Sequence, residues 1–157
     1  MNNQDVRIVN LPPMRVACIN GFGDSPEGMA FEKMKVWAAA HKLLEKPYRI
    51  FGYNNPDPSA GSPNYGYDVW ITVGESVQAD GEARIIDFAG GLYAVTRVEV
   101  NNPGADIPAA WQQLVKWMET SKYHHARHQW LEEHIGLLGE VGGEQPFTLD
   151  LYLPIAE

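Results

Sequence analysis

Two stretches of the chain place an apolar residue every three or four positions, and most of the rest alternates in twos. Between about Met29 and Glu45, Phe31, Met34, Trp37, Ala38, His41 and Leu44 fall on one stripe, while Lys33, Lys35 and Lys42 fall mostly off it. That spacing predicts a helix, ended by Pro47. Upstream, Gly21 to Gly28 predicts a loop in which Asp24 or Ser25 caps the helix and Pro26 sits in its first turn. A second stripe of Ala110, Trp111, Leu114, Trp117 and Met118 predicts a helix starting near Asp106, with Ile107-Pro108 in its first turn.

Extended segments are predicted at Val6–Asn10, Met14–Asn20, Tyr48–Tyr53, Tyr65–Val73, Ala83–Phe88, Leu92–Val100, Trp130–Ile135 and Phe147–Pro154. A turn-rich connection spans Asn54 to Asn64, a tight turn or bulge falls at Gly90-Gly91, and a Gly-rich loop precedes Phe147.

The order β-α-β-β occurs twice. Phe31, Met34 and Trp37 on the first helix answer Trp111, Leu114 and Trp117 on the second, each displaced by 80 positions. The expected fold class is therefore α+β: two pseudo-symmetric β-α-β-β units, about 5–76 and 82–157, with two main helices. At 157 residues they make a single domain with one curved antiparallel sheet. Clefts tend to form where such halves meet, so a ligand groove is expected there.

Charge narrows the partners. With 12 Lys plus Arg against 20 Asp plus Glu the net charge is −8, and no basic cluster stands out. Direct binding to nucleic acid is therefore not expected, and an acidic field favours cations. No run approaches a membrane span and no signal-peptide pattern opens the chain. Cys18 is the only cysteine; it is expected to be core and fits a cytoplasmic location.

The candidate chemistry centres on Gln129–Gly136, where Glu132 and Glu133 lie among Trp130, Leu131 and Ile135. As a strand, Trp130, Glu132 and His134 face one way, and Leu131, Glu133 and Ile135 the other. Either this is an edge strand with two solvated glutamates, or a carboxylate on an apolar surface awaits a cation. At about 4 Å and an effective dielectric near 20 the Coulomb attraction is roughly 4 kcal/mol before desolvation. A ring over the same cation adds about 0.5–2 kcal/mol.

Rings are plentiful on the predicted strands: Tyr65, Tyr67, Trp70, Tyr93, Phe147 and Tyr152. Asp68 and Trp70 share one face and Tyr65 and Tyr67 the other. Asp150 and Tyr152 share a face opposite Phe147, so Glu132, Trp130, Asp150 and Tyr152 form the expected acidic and aromatic set on neighbouring strands. His124, His125 and His128 sit in a polar segment read as a solvated turn, without the ligand spacing of a metal site. No metal or cofactor is expected, and no phosphate loop or nucleophile elbow occurs.

Several of these stretches together resemble the gyrase-inhibitor-like small-molecule-binding domain, also found as the effector-binding half of AraC-type and MerR-type multidrug regulators. The carriers are Phe88–Val95, Tyr53–Asp57, Tyr67-Asp68, Leu131–His134 and Asp150–Ile155, in the family's order over nearly the whole chain. The resemblance implies two β-α-β-β units and a stand-alone binder of lipophilic, aromatic, drug-like cations held by rings around one glutamate. The matching position is Glu132, or Glu133 if the register shifts by one; His134 stands where the family has a tyrosine. Trp130, His134, Asp150, Tyr152, Tyr67, Trp70, Tyr93 and Phe147 complete the expected ligand-binding set. The resemblance also allows partnership with a transcription regulator or DNA gyrase, or hydrolysis of a small molecule by the pocket glutamate; no catalytic residue is assigned.

Overall fold

In chain order the elements are β1 (Val6–Leu11), β2 (Met14–Gly23), α1 (Pro26–Ala40), β3 (Ile50–Asn54), β4 (Tyr65–Thr72), β5 (Arg84–Phe88), β6 (Gly91–Val100), α2 (Pro103–Glu119), β7 (His124–His125), β8 (Leu131–Ile135) and β9 (Phe147–Ala156). They come from a computed structural model that describes residues 5–136, 138 and 146–157. The class is α+β, and every ladder described below is antiparallel. Among the described residues no helix is long and apolar enough to cross a membrane.

The chain divides into two compact units. The central unit spans Met14–Phe88 and Gly136–Glu144, and its strands run β3-β4-β2-β5. Alternation along β4 puts Tyr67, Val69 and Ile71 on the α1 side, where they meet Ala17, Ile19 and Ile50 and the helix residues Ala30, Phe31, Met34, Trp37 and Ala38. The terminal unit spans Met1–Pro13, Ala89–Ile135 and Gln145–Glu157, with strands in the order β1-β6-β9-β8 and β7 pairing the end of β9. Its helix, α2, lays Ala110, Leu114 and Met118 on Ala94, Val100, Leu149, Leu151, Leu153 and Ile155. Burying a side chain the size of Leu114 contributes about 2 kcal/mol.

The helix stripes repeat as expected, in a slightly different frame. The buried contacts are Ala30, Met34 and Ala38 in α1 against Ala110, Leu114 and Met118 in α2, again 80 positions apart. Trp111 and Trp117 are only half-buried.

Two helix boundaries differ from expectation. Lys42 adopts φ 59°, the left-handed region, so α1 ends at Ala40 and Leu43–Glu45 forms a separate 3-10 turn. This leaves Leu44 exposed rather than on the stripe. α2 begins at Pro103 because that proline supplies helical φ and the Asp106 carboxylate reaches back to accept the backbone N–H groups of Asn101 and Asn102, each at 2.8 Å. Those two N–H groups hold the Asp106 carboxyl below its ordinary range. His124 and His125, read as a solvated turn, form the short strand β7 against Ile155 and Ala156. The Gly-rich loop before Phe147 falls mostly outside the described residues.

The repeat also exchanges its edge strands. β1, first in the chain, pairs with β6, whereas β5, which leads directly into β6, pairs with β2. The turn between β5 and β6 depends on Gly90, at φ 80°, where an added Cβ would run into the Leu11 carbonyl oxygen. Gly90→Ala is expected to cost about 2 kcal/mol, from left-handed strain plus a backbone collision, as read by urea unfolding.

Candidate functional site

Residues paired across an antiparallel ladder share a face, so the registers decide which side chains meet. Along β9, Asp150 stands opposite Glu133 of β8 and Arg97 of β6, and Tyr152 opposite Leu131 and Val95. Glu133, Asp150, Tyr152 and Tyr93 therefore lie on the face of the terminal sheet turned away from α2. Glu133 is only 8% exposed, and the Tyr152 hydroxyl donates to its Oε1 at 2.7 Å. The Tyr93 ring meets Tyr152 edge-on at 5.4 Å and His128 edge-on at 4.7 Å. Its hydroxyl donates to the Gln129 carbonyl. Burial, then the neighbouring Tyr152, pushes the Tyr93 pKa upward, so it stays a neutral phenol.

Asp150 is held by two arginines. Arg97 donates through Nε at 2.8 Å and Nη2 at 3.0 Å, and Arg7 through Nη2 at 3.0 Å. The hydrogen bonding, followed by Asp150's charge, raises the Arg97 pKa. Both guanidinium side chains remain more than half exposed, at 54% and 55%, so the ion pairs tie a buried carboxylate to solvated partners.

The other face of β8 carries Glu132 and His134, with Trp130 and Phe147 close by. Glu132 stands opposite Leu151 and accepts the Trp111 indole N–H at 3.3 Å. Trp130 packs at 5.2 Å on Trp111 and at 5.8 Å on His125. His134 is buried opposite Leu149, 6.4 Å from the Phe147 ring, and burial drives its pKa down to about 3. The grouping of Glu132 and Trp130 with Asp150 and Tyr152 is thus corrected. Strand alternation sets Glu133 beside that pair and turns Glu132, His134 and Phe147 toward the α2 side.

The central unit repeats the arrangement. Asp68-Val69-Trp70 in β4 answers Asp150-Leu151-Tyr152 in β9, 82 positions later. Asp68 is wholly buried and accepts from Asn20 at 2.7 Å, Asn55 at 3.0 Å and Arg84 at 3.3 Å. Arg84 on β5 and Arg7 on β1 occupy like positions, opposite Cys18 and Val95. Tyr53 faces Asp68 as Glu133 faces Asp150, so a phenol takes the place of the second carboxylate. Trp70 meets Tyr53 at 5.4 Å and Phe88 at 5.2 Å. Cys18 lies here as a buried thiol pushed up to about 12 by burial and then by Asp68, and is no nucleophile. Tyr67 points instead into the α1 core, 6.1 Å from Phe31.

The sequence placed Asp68 on the Trp70 face but not its asparagine and arginine donors. The Asp-x-aromatic repeat could have matched Asp68 to Asp150. Among the described residues no group of three His, Cys, Asp or Glu is placed to hold a metal ion. Open depressions lie beside Arg7, Arg97 and Gln113, about 600 Å³, and beside Trp111, Val115 and Lys116, about 570 Å³; neither is lined by Glu133 or Tyr152.

Residues 4–156 match the family described as the GyrI-like small molecule binding domain. No curated protein matches the sequence. Among solved structures, the EcmrR C-terminal domain is 12% identical with TM-score 0.70, the match covering 98% of each chain. In an EcmrR–DNA complex the match, also 12% identical with TM-score 0.69, covers 98% of this chain and 57% of the EcmrR chain. A hydrolase from Listeria innocua is 12% identical over 99% of this chain and 94% of its own, with TM-score 0.66. SAV2435 bound to tetraphenylphosphonium is 11% identical over 97% and 94%, with TM-score 0.59. At such identities the likeness shows the fold. The family match spans residues 4–156, nearly the whole length, and the chain belongs to the GyrI-like small molecule binding domain family.

Proposed function

We propose that the chain binds lipophilic, aromatic cations on the face that carries Glu133, Tyr152 and Tyr93, with Glu133 as the charge partner. The observation behind this is a nearly buried carboxylate, 8% exposed, held at 2.7 Å by a phenol whose ring packs edge-on against a second tyrosine. A carboxylate in such a place costs several kcal/mol of hydration, and an incoming flat cation offsets that cost while its body covers the rings. Asp150 is occupied by Arg7 and Arg97, which suits it to shaping the sheet rather than meeting the ligand. Tetraphenylphosphonium, bound in the SAV2435 structure, is a cation of this class and adds support.

The test is a titration of rhodamine-type and tetraphenylphosphonium probes beside a neutral dye of like shape. Glu133→Gln is expected to weaken cation binding roughly 10- to 100-fold while barely moving the neutral dye, since it removes the charge and keeps the shape. Glu132→Gln is expected to leave that binding within about twofold. Equal affinity for charged and neutral probes defeats the reading.

The same contact supports a second reading, hydrolysis, with Glu133 activating water and Tyr152 supplying a proton. Turnover of an ester-bearing cation, lost in both Glu133→Gln and Tyr152→Phe, would favour it over binding alone. Partnership with DNA gyrase or a regulator is tested by pull-down with the ligand-free chain.

A further inference from the structure

One strand presents its two glutamates to two different sets of rings. We infer that Glu132, with Trp111, Trp130 and His125, forms a second cation-binding site on the α2 side of the terminal unit, suited to a small quaternary or tertiary ammonium group. The contacts are continuous. His125 stacks on Trp130 at 5.8 Å and 20°, Trp130 packs on Trp111 at 5.2 Å, and Trp111 donates its indole N–H to Glu132 at 3.3 Å.

Three features suit this cluster to a cation. First, it is accessible: Trp130 is 39% exposed and His125 is exposed. Second, tryptophan is the ring that attracts cations best, and here two adjoin. Third, an indole whose N–H is given to a carboxylate is left richer in π density, while that carboxylate adds a full negative charge at short range.

A small ammonium fits better than a large flat dye. The rings lie packed against one another and offer outer faces and edges, not a slot between parallel planes. The inference does not rest on the Glu133 reading, because the ladder register sets the two carboxylates on opposite faces.

The experiment follows the indole N–H resonances of the intact protein by NMR during titration with tetramethylammonium, with tert-butanol as the neutral probe of similar size. Tetramethylammonium is expected to shift the Trp111 and Trp130 signals in a saturable way, and tert-butanol to leave them nearly still. Trp130→Ala and Glu132→Gln are each expected to weaken the saturation roughly threefold or more. Glu133→Gln is expected to leave it unchanged. Trp130 is exposed enough that its removal spares the fold, which circular dichroism checks, and the wild-type comparison of the two probes stands without any variant. Equal shifts from both probes, or saturation indifferent to Trp130→Ala and Glu132→Gln, overturn the inference. Saturation that follows Glu133 instead also overturns it, while leaving the Glu133 reading intact.

Discussion

Asp68→Ala is expected to destabilise the protein by about 3 kcal/mol, measured as a lowered urea midpoint at unchanged slope. Asp68 is wholly buried and accepts three side-chain donors from three separate segments: Asn20 on β2, Asn55 beyond β3 and Arg84 on β5. Its removal deletes three part-buried hydrogen bonds, each contributing about 1 kcal/mol net, although Asn20 keeps the Asn55 carbonyl as a second acceptor at 2.9 Å. Arg84 softens the loss, because its side chain is 59% exposed and can return to water. The equivalent change in the terminal unit, Asp150→Ala, is expected to cost about half as much. Both donors to Asp150 are arginines more than half in solvent, and exposed charges recover hydration when a partner is lost. Equal losses from the two variants would mean that the asparagines contribute little and that the arginine pairing dominates in both units.

Which parts of this were legible in the sequence follows from how local each signal is. Helix stripes and strand alternation are properties of neighbours in the chain, so both helices, eight of the strands and the 80-residue repeat could be read directly. β7 was missed because its two histidines carry no alternating pattern; its pairing is supplied by the end of β9. The helix ends shifted for reasons one residue wide: the left-handed turn at Lys42 and the backward reach of Asp106. Assigning one of two adjacent glutamates to a face was harder. Alternation separates Glu132 from Glu133 but says nothing about which partner on β9 each meets. That depends on the ladder offset, which sets Glu133 against Asp150. The Asp68 cluster was hidden for a similar reason, since its donors lie 48, 13 and 16 positions away.

His134 makes the protein sensitive to acid in a window that its environment fixes. Its folded pKa is about 3, against an ordinary 6.5, because burial beside Leu149 and Phe147 strips water from the charged imidazolium. The unfolded chain takes up that proton near pH 6.5 and the folded chain does not until near pH 3. Stability is therefore intact above about pH 7 and falls as pH drops through 6.5, by at most about 1.4 kcal/mol per pH unit from this group. Between pH 6.5 and 5 the loss is expected to reach roughly 2 kcal/mol. The check is urea unfolding at pH 7, 6 and 5 for the wild type and for His134→Leu, which cannot titrate there. The other histidines and the carboxylates are common to both proteins, so their contributions cancel in the difference. At pH 7 the leucine variant carries whatever packing cost the swap imposes. That gap should narrow or reverse toward pH 5, by about the 2 kcal/mol that wild type alone surrenders. Parallel profiles would mean that the imidazole is protonated in the folded state at pH 5. His134 would then be a charged neighbour of Glu132 and Glu133, working against a cation on either face of β8.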